Sequence, residues 1–375
     1  MCVCLIKVFI VILSYSLVTV VNIVMGILNL VPDDSKHKIQ KFLIENNLLY
    51  VYDLDLPNGI KGSEEWRKID LIKLLEYCDS KNIDPTRVLV PENALSVSYN
   101  TPLLHIHCPV NCMIIKEFET LPECTPTKHF NYLAGNFHYD RFMLLQELYQ
   151  KDLLKNTHWS AYRNINLDIF PDHKYTESFI DFCKNNIPRT MKNLEVYNKF
   201  PEDLLEPAQY REGSFIMDAN NIDAEIFKDS AVTIIVDTLA NNIPSLYDSK
   251  WQDVEQKLGR NTYYTKKILK PILHKRPFIA CIGRGKGINK YLSDMGFQTF
   301  ESVWDESYFD ADTPKERVDR IVNLCYNLSK LEIAEIHDKT REICEHNYDV
   351  LTKTDWVEWF LSQIQTTLHI RQATT

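Results

Sequence analysis

Beyond residue 35, two hydrophobic patterns alternate along the chain. One has an apolar residue at every third or fourth position, and the other is a short run that is apolar throughout. The first pattern predicts amphipathic helices and the second predicts buried strands. In the first half of the chain, helices are predicted at 35–46, 69–82 and 141–151. Strands are predicted at 48–54, 87–91, 103–107, 113–118 and 130–133. This βαβ-type order predicts a parallel sheet covered by helices.

Residues 166–215 hold four prolines and many charges, and we interpret them as an interdomain region. A second α/β block follows them. Beyond it, strands are predicted at 231–236 and 277–282, and helices at 264–274, 288–295, 315–331, 332–345 and 355–369. The sequence thus predicts an α/β fold in which two Rossmann-like domains, 32–165 and 216–350, face a cleft. Residues 351–375 would form a C-terminal helix. Ligands of such folds bind at the carboxyl ends of the strands.

Residues 8–31 form an uncharged run of 24 residues. As a helix this run would span about 36 Å, enough for a bilayer core of about 30 Å. Lys7 before it and Asp33 and Asp34 after it give the charge order of a signal-anchor. The run also holds five Ser, Thr and Asn residues, and its many β-branched residues suit buried strands. The hydrophobic segment 1–31 is therefore a membrane anchor, a signal sequence or the buried first elements of the fold, and Met25 is an alternative first residue.

The composition narrows the function classes. An apolar fraction of 45% and a charged fraction of 25% are typical of a globular protein and exclude collagen, coiled coil and wholesale disorder. A net charge of −9 is opposite to that of a general nucleic-acid binder, so we expect no nucleic-acid partner. The ten cysteines are scattered without the C-x-x-C spacing of a zinc knuckle.

The sharpest local pattern is a glycine loop between a predicted strand and a predicted helix. Gly283, Arg284, Gly285, Lys286 and Gly287 form the sequence GRGKG. Glycines let a backbone approach a ligand closely, and the following helix N-terminus attracts phosphate. The loop matches neither the dinucleotide fingerprint nor the Walker motif. It is a phosphate-binding loop or a tight turn with solvated charges.

A second basic pattern lies at 261–271, NTYYTKKILKP. Thr265 is suited to cap the N-terminus of a helix whose first turns carry Lys266, Lys267 and Lys270. Cations at this end of a helix oppose its dipole, and a bound anion would relieve the conflict. A solvated basic helix face is the alternative.

Two other clusters give weaker signals. Asp305 and Glu306 are adjacent carboxylates, which fit an acid and a base of catalysis or, alternatively, loop and capping residues. His105 and His107 share one face of a predicted strand, as two ligands of a metal ion would. No third ligand follows at a suitable spacing, so we expect no metal site.

Two segments of the chain resemble a group of glycosyltransferases of phages and large DNA viruses. The first segment is 229–238, DSAVTIIVDT. The second is 263–310, which includes YYTKKILKP, PFIACIGRGKG, LSDMGFQTF and DESYFD. The stretch 128–159 resembles the strand, loop and helix of the same group. Together the resemblance covers about residues 36–345. The group is similar in turn to the α-1,3-fucosyltransferase family, which has the GT-B fold and binds a nucleotide-sugar mainly on its C-terminal domain.

The resemblance implies the site residues. Lys267 would bind phosphate, Arg141 would face the diphosphate, and Asp237 would stand near the nucleotide. The nucleotide-binding set that we predict is Arg141, Asp237, Tyr264, Thr265, Lys266, Lys267, Gly283, Arg284, Gly285 and Lys286. The catalytic base would come from the N-terminal domain, where Asp53, Asp55 and Glu92 follow or end predicted strands. The nucleoside-diphosphate sugar would be a substrate, and no cofactor is implied.

Two departures from the family pattern open a second hypothesis. Lys266 replaces the motif glutamate, and the loop before Arg141 has lost several positive charges. The sequence therefore predicts a viral glycosyltransferase that acts on a glycan or protein acceptor or, alternatively, an inactive GT-B scaffold with a binding or structural role. The protein would be membrane-anchored or lumenal if residues 8–31 insert, and otherwise cytoplasmic in an infected host cell.

Overall fold

The computed structural model of the chain describes residues 33–50, 75–96, 102–113, 125–134, 139–162, 176–186, 195–197, 226–236, 262–281 and 288–374, except positions 77, 81, 93, 108, 264, 265 and 312. These residues belong to two units. The first unit contains the described residues up to 113 and those from 355 onward, and the second contains those between 125 and 354. The hydrophobic segment 1–31 lies outside the described residues.

The fold is mixed α/β and mostly helical. Its helices are α1 (Asp33–Glu45), α2 (Val110–Met113), α3 (Tyr139–Gln150), α4 (Glu177–Asn186), α5 (Leu269–Leu273), α6 (Ile288–Asp294), α7 (Pro314–Leu328), α8 (Ile333–Lys353) and α9 (Trp356–Thr374). None of these described helices combines the length and the apolar character needed to cross a bilayer.

The strands are two to seven residues long. They are β1 (Leu49–Tyr50), β2 (Val88–Glu92), β3 (Ala94–Ser96), β4 (Leu104–His107), β5 (Lys128–Ala134), β6 (Thr157–Tyr162), β7 (Glu195–Tyr197), β8 (Ser230–Val236), β9 (Thr262–Tyr263) and β10 (Phe278–Cys281). Short 3-10 helices at Pro85–Arg87, Leu153–Asn156, Lys266–Ile268 and Ser307–Asp310 connect several of them.

The first unit is built on a parallel sheet of three strands in the order β1-β2-β4. Helices α1 and α9 pack together, and α9 also packs on β4. The core of this unit is apolar and includes Ile39 of α1, Leu89 of β2 and Phe360 of α9, all less than 5% exposed. Arg371 of α9 donates hydrogen bonds to the carbonyl oxygens of Pro102 and Leu103, which anchors the C-terminal helix beside β4.

The second unit contains a sheet in the order β10-β8-β5-β6-β7. The first four strands are parallel, and β7 pairs antiparallel to β6 at the edge. Every residue of β8 and β10 is buried, as expected of parallel strands with both faces covered. From β5 the chain adds β6 on one side, and it later adds β8 and β10 on the other. The strand order therefore reverses between β5 and β8.

The expected domain boundary at residue 165 does not coincide with the division in the structure. Strands β5 and β6 precede this boundary but share a sheet with β8, so residues 128–162 belong to the second unit. The C-terminal helix α9 belongs to the first unit. Of the strand predicted at 113–118, Met113 instead ends the short helix α2, and the rest lies outside the described residues.

Candidate functional site

The reversal of strand order in the second unit creates a binding position. The chain continues from β5 to its neighbour β6 on one side and from β8 to its neighbour β10 on the other, so the carboxyl ends of β5 and β8 form the switch point of the sheet. In open α/β sheets, ligands bind at this switch point. The side chains that reach it are therefore the first candidates for a functional site.

Two of the predicted site residues meet at the carboxyl end of β8. Val236 is the last residue of this strand, and its carbonyl oxygen accepts a hydrogen bond from Lys267 Nζ at 2.9 Å. The same oxygen accepts a hydrogen bond from Arg141 Nη2 at 3.3 Å. Because both cations contact one oxygen, they lie close enough together to bind neighbouring oxygens of a single diphosphate.

The first turn of α3 holds Arg141 in place. This helix begins at the carboxyl end of β5, and the backbone carbonyl of Arg141 accepts a hydrogen bond of 2.7 Å from the Tyr132 hydroxyl of β5. The Arg141 side chain is only 1% exposed. A buried guanidinium at the N-terminal end of a helix adds its charge to that of the helix dipole. The local field therefore favours an anion.

Lys267 is positioned by apolar anchors on its C-terminal side. It lies in the 3-10 helix Lys266–Ile268, which continues into α5. Ile268 and Leu269 are buried, so the segment is fixed while the Lys267 side chain stays partly accessible. The structure places the backbone of Lys266 in the same 3-10 helix.

Most of the other predicted nucleotide-binding residues lie outside the described residues: Asp237, Tyr264, Thr265, Gly283, Arg284, Gly285 and Lys286. The elements that flank the glycine loop agree with the expected strand, loop and helix. Strand β10 ends at Cys281, and α6 begins at Ile288. Because β10 pairs with β8, Cys281, which precedes the loop in the chain, lies at the same carboxyl edge as Val236.

Of the three candidate bases, Asp53 and Asp55 lie outside the described residues. Glu92 is the last residue of β2, and it is in register with His107, the last residue of β4. Both therefore stand at the carboxyl edge of the sheet in the first unit. Within the described residues, no group of three potential ligands could hold a metal ion.

The adjacent carboxylates at 305 and 306 have different surroundings. Asp305 is exposed, and its carboxylate accepts hydrogen bonds from the backbone N–H and the hydroxyl of Ser307. Glu306 is buried and accepts hydrogen bonds from the Phe300 N–H at 3.2 Å and the Tyr308 hydroxyl at 3.3 Å. Burial raises the pKa of Glu306. These contacts favour the interpretation as loop and capping residues.

The structure also reveals contacts at the site that the sequence patterns did not indicate. The Val236 carbonyl is a backbone group, and a backbone acceptor leaves no signature in the residue types. Tyr132 is a second case, because its hydroxyl bonds the Arg141 carbonyl from within an apolar strand. The only sequence signal for Tyr132 is a hydroxyl-bearing aromatic residue in a buried strand, which usually requires a hydrogen-bond partner.

Comparison of the chain with protein-family models, with curated proteins and with solved structures gives no significant match.

Proposed function

We propose that the chain is a glycosyltransferase of the GT-B type, which transfers a sugar from a nucleoside-diphosphate sugar to a glycan or protein acceptor. The observation that carries this proposal is the meeting of Arg141 and Lys267 at the Val236 carbonyl, beside the switch point of the parallel sheet. These are the two residues to which the sequence resemblance assigns the diphosphate.

The proposed chemistry follows from the charge of the leaving group. Breaking the bond between the sugar and the nucleotide leaves negative charge on the diphosphate, and fixed cations stabilise this charge as it develops. Arg141 and Lys267 would supply two cations, and the N-terminus of α3 would add its dipole. This arrangement needs no metal ion. The acceptor hydroxyl needs a base, for which Asp53, Asp55 and Glu92 remain the candidates.

A second candidate function is an inactive GT-B scaffold that retains the fold for a binding or structural role. Lys266 in place of the motif glutamate favours it, because a lysine cannot accept a hydrogen bond from ribose hydroxyls. Donor binding separates the two functions, since an inactive scaffold of this kind would bind no nucleoside diphosphate.

The test is a thermal-shift panel on the full chain with GDP, UDP, CDP and their sugars. A ligand at 100 times its dissociation constant stabilises the folded state by about 2.7 kcal/mol, which raises the melting temperature measurably. We expect one nucleotide to give this shift and Lys267→Ala to abolish it. The lost hydrogen bond to the Val236 carbonyl should lower the melting temperature of the unliganded variant without preventing cooperative unfolding.

The matched control is Lys339→Ala, because Lys339 is an exposed lysine of α8 whose described partner is Glu335. This variant should keep the shift of the wild-type chain. A well-folded wild-type chain that responds to none of the nucleotides would refute the transferase and favour the scaffold.

A further inference from the structure

Strands β2 and β4 of the first unit run parallel and end at the same level of their sheet. Their ladder has four pairs, in the order Leu89 with Leu104, Val90 with His105, Pro91 with Ile106 and Glu92 with His107. The last pair therefore places two titratable residues, a glutamate and a histidine, side by side at the carboxyl edge. In open α/β sheets this edge is where ligands bind.

The two residues of this last pair lie on one face of the sheet. Successive residues of a strand alternate between the faces, and paired residues of neighbouring strands share a face. Leu89, Leu104 and Ile106 lie on the face that forms the apolar core with α1 and α9. Glu92 and His107 are each an odd number of residues from these positions on their own strands, so they lie on the opposite face.

The ladder also gives the separation of the two residues. Neighbouring strands of a sheet lie about 4.8 Å apart, and this is also the approximate spacing of paired Cα atoms in a parallel ladder. At this spacing a carboxylate and an imidazole on one face are within the distance at which each changes the pKa of the other. The register therefore makes Glu92 and His107 an electrostatic pair.

A glutamate beside a histidine has the composition of an acid–base dyad. The ordinary pKa of imidazole is about 6.5 and that of a glutamate carboxyl is about 4.3, so imidazole is the better proton acceptor near neutral pH. A neighbouring carboxylate fixes the tautomer of the imidazole and stabilises the imidazolium that forms. The other histidine on this face, His105, has Val90 as its partner in the ladder, and valine can do neither.

We propose that Glu92 and His107 form a proton-accepting dyad, in which His107 is the catalytic base and Glu92 is its positioning residue. In the sugar transfer, which rests on the proposed function, the imidazole takes the proton of the acceptor hydroxyl. The electron pair of that oxygen forms the bond to the anomeric carbon of the donor. The bond from this carbon to the phosphate oxygen breaks, and its electron pair leaves with the diphosphate. The imidazolium then releases the proton to water.

The first experiment measures the pKa of both histidines by NMR titration of the full-length chain with labelled histidine rings. The spectra of His105→Gln and His107→Gln identify the two resonances. We expect Glu92→Gln to lower the pKa of His107 by about one unit, because the imidazolium loses an adjacent negative charge. The pKa of His105 should change by less than half as much. A pKa of His107 that does not respond to Glu92→Gln would overturn the dyad.

The second experiment tests catalysis with whichever of the GDP, UDP and CDP sugars stabilises the wild-type chain. Water replaces the acceptor, so release of free sugar reports the proton transfer. We expect His107→Gln to lower kcat about 100-fold with little change in KM. Glu92→Gln should lower kcat about tenfold and move the acidic limb of the pH profile to lower pH. The matched control His105→Gln should keep kcat within about twofold of wild type.

The outcomes separate a catalytic dyad from a structural pair. Lower melting temperatures of Glu92→Gln and His107→Gln, together with an unchanged kcat and pH profile, would assign the pair a structural role and overturn the inference. A response of kcat without a shift of the acidic limb in Glu92→Gln would contradict the positioning role of Glu92.

Failure of this inference is distinguishable from failure of the proposed function. Donor turnover that both variants leave unchanged keeps the transferase and overturns the dyad as its base. A chain that binds none of the nucleotides refutes the transferase, and the NMR titration then decides the dyad alone. A shift of the His107 pKa in Glu92→Gln supports a proton-accepting pair, and the absence of this shift overturns it.

Discussion

Asp229 joins three parallel strands at the amino edge of the second sheet, and its replacement should destabilise the protein in a pH-dependent way. It immediately precedes β8, and its carboxylate accepts hydrogen bonds from the Thr127 N–H at 2.8 Å and from His158 Nε2 at 2.7 Å. Thr127 immediately precedes β5, and His158 is the second residue of β6. The side chain of Asp229 is 35% exposed and that of His158 is 11% exposed.

The loss of stability that we expect on replacing Asp229 follows from these two hydrogen bonds. A hydrogen bond to a charged group contributes about 1.5–3 kcal/mol, and the partial exposure of Asp229 places both bonds at the low end of this range. We expect Asp229→Ala to lower the free energy of unfolding by about 2–3 kcal/mol. Asp229→Asn keeps an acceptor for Thr127 but loses the charge, so about 1 kcal/mol is expected.

The pH dependence has a definite sign. Burial favours the neutral carboxyl, but the hydrogen bonds from His158 and Thr127 outweigh burial and lower the pKa of Asp229. A lowered pKa in the folded state means that the contribution is complete above the unfolded value of about 3.9. It is then lost as the pH falls through this value toward the folded pKa. The difference between wild type and Asp229→Asn should therefore shrink below about pH 4.

The assay is urea denaturation at pH 7 and at pH 4 or below, followed by tryptophan fluorescence, to which buried Trp159 in β6 contributes. Asp152→Asn is the control, because Asp152 is 68% exposed and pairs only with the exposed Lys155 among the described residues. It should change the free energy of unfolding by less than about 0.5 kcal/mol. Equal effects of the two Asn substitutions, or a difference for Asp229→Asn that grows as the pH falls, would refute the reasoning.

Two further stability effects follow from buried polar groups. Asn347 of α8 accepts the Gln298 N–H at 2.7 Å and donates to the Gln298 carbonyl at 2.9 Å, so Asn347→Ala should cost about 2–3 kcal/mol in urea denaturation. Asn347→Asp keeps the acceptor but places a buried carboxylate against the Gln298 carbonyl, so near pH 7 it should cost at least as much. Burial raises the pKa of Glu306, so its ionisation lowers stability as the pH rises above the unfolded value of about 4.3. Glu306→Gln should therefore gain stability relative to wild type between pH 4 and pH 8 in thermal melts, whereas Glu342→Gln, at an exposed position of α8, should not.

The local elements of the second unit could be predicted because their patterns are strong. Strands β8 and β10 are continuous apolar runs, and α7 begins at Thr313 and Pro314, a typical cap and first residue. The end of α8 was missed, since the expected helix stops at residue 345 and the observed one reaches Lys353. Asn347 explains the error. It is a polar residue on the buried face, where it binds Gln298 and interrupts the apolar period.

The domain boundary could not be predicted for a different reason. The apolar pattern of β5 identifies a strand, but it does not say which sheet the strand joins. Pairing of β5 with β8, about 100 residues later in the chain, follows from long-range packing that local patterns do not encode.

The two edges of the second sheet have opposite electrostatic character, and this contrast gives the strongest argument for a ligand site. At the amino edge, Asp229 neutralises its surroundings and Arg276 is satisfied by the carbonyl oxygens of Phe227 and Lys228. At the carboxyl edge, two cations, Arg141 and Lys267, converge on the Val236 carbonyl, and Arg141 lies in the first turn of α3, where the helix dipole adds to their positive field. A positive field of this kind suits the binding of an anion such as a diphosphate. Substitutions at the amino edge should then lower stability without changing nucleotide affinity, whereas Lys267→Ala should weaken nucleotide affinity.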